Sequence, residues 1–160
     1  MNLPENLANN RLLDDTGQQI LRHLQAEARL SFVELGQRVG LSPPAVAERV
    51  RRMEEAGIIT GYRAEVSAAR VGLPVAAFIR LQTGRGNYPA LLAEARSNAA
   101  VLECHHLAGQ DAFLLRVAAP SVAVLEEIIE RLSHYGETQT AVVLSSPVSG
   151  KPLVAAPPQE

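Results

Sequence analysis

Three guanidinium groups, Arg49, Arg51 and Arg52, fall within one turn of the stretch "LSPPAVAERVRRMEEAGII". A guanidinium presents a planar fork of donors that matches phosphate oxygens and the guanine edge. The stretch therefore carries chemistry suited to nucleic acid. A second group, Cys104, His105 and His106, offers a thiol and two imidazoles, the ingredients of a metal site or a thiol nucleophile. A third, "AGQDAF", sets Gly109, Gln110 and Asp111 in a short turn. Backbone N–H groups in such a turn can hold a carboxylate, and Asp111 can accept from an ammonium group. Thr138 and Thr140 lie two apart in a run that reads as a strand, so both hydroxyls face the same way.

The Cys–His group is the weakest of these. Neighbours on a strand point to opposite faces, which separates Cys104 from His105; Cys104 and His106 share a face but supply only two ligands where a structural zinc takes four. His23 and His134 are not at motif spacing. A catalytic thiol also needs an orienting group and an oxyanion site, and none is recognisable. The expectation is a buried cysteine and an interface histidine, with no catalytic residue, no metal and no cofactor. Gly-x-Asp is ordinary hairpin chemistry and threonine is ordinary in strands, so the third and fourth groups do not identify a ligand by themselves.

The elements that must position these residues follow from periodicity and punctuation. Residues 1–12 are polar and read as a flexible arm. Asp14 or Asp15 caps a first helix whose Ile20, Leu21 and Leu24 form an apolar face. Ser31 and Glu34 make a capping box for a second, which Gly40 closes in the left-handed conformation. Ser42 caps a third, with Pro43 at its first position and Gly57 at its end. At about 100° per residue, Val46, Val50 and Met53 cluster on the inner side of that helix. Ala45, Glu48, Arg49 and Arg52 fall together on the flank away from it.

A strand is expected from about Ile58 to Val66, followed by a hinge to residue 74. Beyond it, strands over 75–83, 101–108, 112–119 and 138–146 alternate with helices over 88–98 and after Ser121, the latter with Val122, Leu125, Ile129 and Leu132 on one face. The order is βαββαβ, an α+β ferredoxin-like arrangement with helices on one face of an antiparallel sheet. The expected organisation is thus an arm over 1–12, a helix-turn-helix domain over 13–57, strand and hinge over 58–74, a ferredoxin-like domain over 75–150 and a tail over 151–160.

A helix, a short turn at "VGLS" and a second helix is the plan that puts a reading helix into the major groove of double-stranded DNA. Small Ala45 permits close approach, and Arg49 and Arg52 can reach phosphates or base edges. The chain has 160 residues and a net charge of −2. That excludes a strongly basic tail but leaves room for a local basic surface. Lys151 is the sole lysine among 15 cationic side chains, and a single cysteine allows no internal disulfide. No apolar run is long enough to cross a bilayer, and the first residues lack a secretory pattern. A cytoplasmic protein without a membrane partner is expected.

The stretches "LDDTGQQILRHLQAEARLSFVELGQRVGLSPPAVAERVRRMEEAGIITGY", "VLECHHLAGQDAFLLRV" and "TQTAVVLSS" together resemble the Lrp/AsnC, or feast/famine, transcriptional regulators over roughly residues 13–150. The resemblance implies a winged helix-turn-helix joined by a hinge to a βαββαβ ligand-binding domain. It further implies homodimers built through the sheets, often gathered into octamers, and an amino acid or related metabolite bound between ligand-binding domains. By the same resemblance Arg49 and Arg52 match arginines of the recognition helix, Ser42 and Pro43 match its start, and "AGQDAF" matches a turn of the effector cleft. Gly17 and Gly36 depart from the pattern, standing where an acidic residue and an alanine are usual. Gly36 is expected to cost about 1 kcal/mol of helix propensity. Gln110 departs within the effector turn. The alternative class is an amino-acid-binding interaction module or small enzyme without DNA binding, and salt-dependent binding to duplex DNA separates the two.

Overall fold

The computed structural model describes residues 12–109 and 113–156. The expected arm lies outside the described residues apart from Leu12, as do Gln110, Asp111 and residues 157–160. The chain divides into two units. Residues up to 64 and from 148 onward form one, and residues 65–147 the other.

In the first unit, α1 spans Asp15–Ala26, α2 spans Phe32–Val39 and α3 spans Pro43–Glu55. Asp14 starts α1 by accepting from the Gly17 N–H at 2.8 Å. Ser31 and Glu34 complete both halves of the capping box of α2, and Gly40 closes it at φ 71°. Ser42 occupies the N-cap position of α3, but its hydroxyl makes no capping bond. The second helical residue, Pro44, has no N–H to donate, which removes one of the two usual partners of an N-cap oxygen. Ile20, Leu24, Leu30, Leu35, Val46, Val50 and Met53 form the core.

Two glycines are more than propensity defects. A Cβ at Gly17 would lie 1.8 Å from the Leu12 carbonyl oxygen, and one at Gly36 would lie 2.5 Å from that of Leu41. The backbone of the helix–helix turn crosses α2 closely at Gly36, so the missing side chain permits the turn there.

The strand expected over 58–66 is not present among the described residues. The N–H groups of Ile58 and Ile59 both donate to the Met53 carbonyl, folding this stretch back on the end of α3. Their side chains pack against the helical core. The Tyr62 hydroxyl then donates to Glu54 at 2.9 Å. β-Branched composition favours extended backbone, but a strand exists only with a ladder partner.

In the second unit, β1 (Val75–Gln82), α4 (Tyr88–Ser97), β2 (Val101–His106), β3 (Phe113–Ala119), α5 (Val122–Ser133) and β4 (Glu137–Val142) follow the expected βαββαβ order. The sheet runs β2-β3-β1-β4, with every pair antiparallel. Ala77, Ile79, Leu81, Phe113, Leu115 and Val117 face Leu91, Ala95, Leu125, Ile128 and Leu132 of the helices. Val122, expected inward, is 68% exposed, and Ile128 is buried instead. The ladder of β4 ends at Val142 rather than residue 146. On the opposite sheet face Phe78 pairs across to Arg116 and Ala141 and remains 39% exposed.

The segment expected to be a free tail is engaged over part of its length. Leu153 N–H donates to Gln25 Oε1 at 2.7 Å, and Gln25 Nε2 donates to the Leu153 carbonyl at 3.0 Å. One amide side chain thus pairs with both backbone groups of one residue as a strand neighbour would, fixing this segment to α1.

Candidate nucleic-acid interface and effector turn

Helix α3 buries Val46, Val50 and Met53 and leaves Ser42, Pro43, Pro44, Ala45, Arg51 and Arg52 exposed. The two prolines fix the backbone at the helix start. Their bare approach leaves the amino-terminal end open to a large partner. Ala45, Glu48 and Arg52 form the outward stripe at helical spacing, as expected.

Arg49 differs from its expected place. Its Nη1 and Nη2 each donate to one carboxylate oxygen of Asp14, both at 2.6 Å. This is a fork-to-fork pair, the strongest form of a charge-assisted contact. The Arg49 guanidinium holds the Asp14 carboxyl down at about 2, with the Gly17 N–H adding to the effect against partial burial. Asp14 in turn raises Arg49. One carboxylate therefore caps α1 and fastens α3 to it. Arg49 is directed at the domain's own first helix, and its fork is occupied there.

Arg51 and Arg52 converge on a single carboxylate. Glu48 accepts from Arg51 Nε at 2.9 Å and Nη2 at 2.8 Å, and from Arg52 Nε at 2.8 Å. Arg51 also pairs with Glu55. These contacts hold the Glu48 carboxyl down at about 2, Arg51 first and Arg52 second. All four side chains are substantially exposed, so the pairs are weak and exchangeable with solvent or another anion.

In the second unit, Gly109 is exposed at φ 123°, a conformation that favours glycine, and a Cβ there would meet nothing within 4 Å. Thr138 and Thr140 pair with Leu81 and Ile79 on β1. They lie on the helix-bearing side of the outer strand, Thr138 half-buried and Thr140 exposed. The strand order separates them from the β2–β3 turn by two inter-strand spacings, about 10 Å. Within one chain Gly109 and the two threonines thus lie on different parts of the sheet.

Cys104 and His106 share the side of β2 that pairs with Leu115 and Phe113. His106 stacks on Phe113 at 4.9 Å between ring centres, and Tyr88 meets both rings edge-on at 5.2 and 5.0 Å. Burial pushes the Cys104 thiol up, away from reactive thiolate character. His105 projects to the other side beside Glu103, 3.2 Å away, which also takes Arg116 Nη2 at 2.6 Å. Among the described residues no group of three or more His, Cys, Asp or Glu side chains is arranged to hold a metal. No helix of the described residues is long and apolar enough to cross a membrane.

Sequence reasoning took Asp14 for a cap only, and its second role with Arg49 had no signal across 35 positions. The Glu48 network was the more accessible of the two, since Glu48 stands three and four residues before Arg51 and Arg52.

Residues 13–60 match the family model described as winged helix-turn-helix DNA-binding, and residues 76–153 match the Lrp/AsnC ligand binding domain. An uncharacterized HTH-type transcriptional regulator of Bacillus subtilis, YezC, is 42% identical over 134 residues, covering 84% of this chain and 95% of that protein. The solved structure of B. subtilis LrpC has a TM-score of 0.82 at 33% identity, covering 86% of this chain and 98% of that one. A transcriptional regulator from Neisseria meningitidis, solved as an L-Met complex, also has a TM-score of 0.82 at 33% identity, covering 88% and 96%. These relatives are regulators rather than enzymes.

Proposed function

Because the chain belongs to the Lrp/AsnC family of DNA-binding transcriptional regulators, we propose that it is a cytoplasmic sensor of an amino acid. In this reading it meets double-stranded DNA through the start and outer stripe of α3: Ser42, Pro43, Ala45, Glu48 and Arg52. The observation that carries the reading is that this stripe is outward and open while the opposite side of α3 is fully buried. Arg49 serves the same interface indirectly, by fixing the angle between α3 and α1.

A single reading helix supplies little specificity, so the working unit is a homodimer with half-sites about one DNA turn, or 34 Å, apart. The open sheet face around Phe78 is its contact, and further assembly of dimers to an octamer extends the DNA surface. The effector is a free amino acid, the class seen with the Neisseria relative. Its carboxylate sits against the turn at Gly109 and Gln110, and its ammonium against Asp111. Thr138 and Thr140 complete the lining from a neighbouring copy, a reading supported by the two strand spacings between them and the turn within one chain. The effector regulates by binding one assembly or domain arrangement better than another.

The test is a titration of the full chain against duplex DNA at several salt concentrations, with and without each of the 20 amino acids. Affinity should fall steeply and linearly with log salt, with a slope of about −0.9 for each phosphate neutralised, and one or a few amino acids should change it. Salt-independent binding, or no binding to genomic fragments, would overturn the DNA reading. Calorimetry with no heat from any amino acid would overturn the sensor reading.

A further inference from the structure

We propose that Glu48 is a specificity-determining residue: it holds Arg51 and Arg52 on itself and releases Arg52 productively only at a DNA site that offers an amino group in the major groove. The proposal rests on the reading of α3 as the DNA-contacting helix.

The charge of α3 is balanced, three arginines against three glutamates. Arg49 is already engaged by Asp14. The two remaining arginines of the helix, Arg51 and Arg52, both donate to Glu48, and Glu48 stands between Ala45 and Arg52 on the outward stripe. A recognition helix of this kind has little net attraction for phosphate. On an arbitrary duplex, Glu48 brings a negative charge to a polyanion, and Arg52 must leave its partner to gain a phosphate. Non-specific affinity, which is electrostatic and independent of sequence, is kept low by that competition. Where the site presents the N4 amino group of cytosine, or the N6 amino group of adenine, the carboxylate accepts from it. Arg52 is then free to turn to DNA, because the base replaces it on Glu48 beside Arg51, which keeps its own two hydrogen bonds to the carboxylate. The exposed pairs on α3 are weak enough to be exchanged in this way.

The experiment compares full-length wild type, Glu48→Gln, Glu48→Ala, Arg52→Ala and the double variant Glu48→Gln/Arg52→Ala. Each is titrated against a generic duplex and against the genomic fragment that wild type retains most tightly in selection. Glu48→Gln and Glu48→Ala should bind the generic duplex about two- to tenfold more tightly, while the ratio of selected to generic affinity falls. Selection with Glu48→Ala should lose a cytosine or adenine preference at one position of each half-site. The gain, measured against Arg52→Ala, should shrink in the double variant, because the part that passes through Arg52 is lost while the part due to Glu48's own charge remains. Glu48 is exposed, so melting temperature and assembly should be unchanged in both of its single variants. An unchanged or higher specificity ratio in either folded Glu48 variant overturns the proposal, as does a gain left undiminished by loss of Arg52. Failure of wild type to bind any duplex overturns the underlying reading as well, so the two failures are distinguishable.

Discussion

Asp14 and Arg49, 35 positions apart, meet through two 2.6 Å hydrogen bonds while Asp14 also caps the first helix. Arginine on a recognition helix is usually assigned to DNA, yet here the fork is turned to a carboxylate of its own domain. Arg49 and Arg52 should therefore respond differently to substitution. Arg49→Ala and Asp14→Ala should both lower the stability of the helical unit, Asp14→Ala by about 1–2 kcal/mol because the cap is lost as well. Arg52→Ala should leave stability unchanged and weaken DNA binding. Denaturant unfolding beside DNA titration separates the two; equal loss of stability from Arg49→Ala and Arg52→Ala would refute the assignment.

The same pair fixes an acid response. Asp14 is held at about 2, below the ordinary carboxylate value of 3.8, so the folded state binds fewer protons there than the unfolded state. The stability it contributes is fully present above about pH 4 and is lost as pH falls from 4 toward 2. Its partial exposure keeps the effect modest. Asp14→Asn should flatten stability against pH in that window and leave the curve above pH 5 parallel to wild type, as followed by circular dichroism.

Gly17 gives a steric prediction. With the Leu12 carbonyl oxygen 1.8 Å from the position of an added Cβ, Gly17→Ala must displace the chain entering α1. Better helix propensity should not compensate, and a loss of about 1–3 kcal/mol is expected. A variant as stable as wild type in urea would show that the entering segment moves freely.

The open sheet face gives a third kind of test. Phe78→Arg places a charge opposite Arg116 and Ala141 without touching the helix-covered core. The homodimer proposed to form through this face should weaken by at least about tenfold, or roughly 1.4 kcal/mol, with the monomer still folded. Sedimentation equilibrium measures this directly, and an unaltered dimer would exclude that face as the contact.

Gln25 and Leu153 supply the last. Gln25→Ala removes the partners of both the N–H and the carbonyl of Leu153. The Leu153 amide should be protected from hydrogen exchange in wild type and exchange at the rate of an unstructured peptide in the variant. Equal rates in the two proteins would mean that the segment does not dock in solution.

Much of this protein is legible in one dimension because its signals are local. The capping box at Ser31 and Glu34, the left-handed Gly40 and the Pro43 start are each complete within a few residues, and the βαββαβ order follows from period alone. The buried stripe of Val46, Val50 and Met53 is a matter of 100° per residue. Where expectation and fold part, the deciding contact comes from elsewhere in the chain. Ile58 to Val66 has the composition of a strand but finds Met53 and Glu54 rather than a ladder. Gly17 and Gly36 read as propensity costs until the carbonyls of Leu12 and Leu41 are seen to pass over them. Thr138 and the Gly109 turn are read on different strands from the start, but only the strand order shows how many strands lie between them.

The sequence by itself determined most of the elements, the family and the buried stripe of α3, since helical period, caps and turns depend on neighbours a few residues away. Tertiary structure alone decided that Arg49 belongs to Asp14, that Leu153 is bound to Gln25 and that two strand spacings separate the threonine pair from the Gly109 turn. Those outcomes depend on which distant side chains arrive within hydrogen-bond reach, and only the packing of the helices and the strand order decides that.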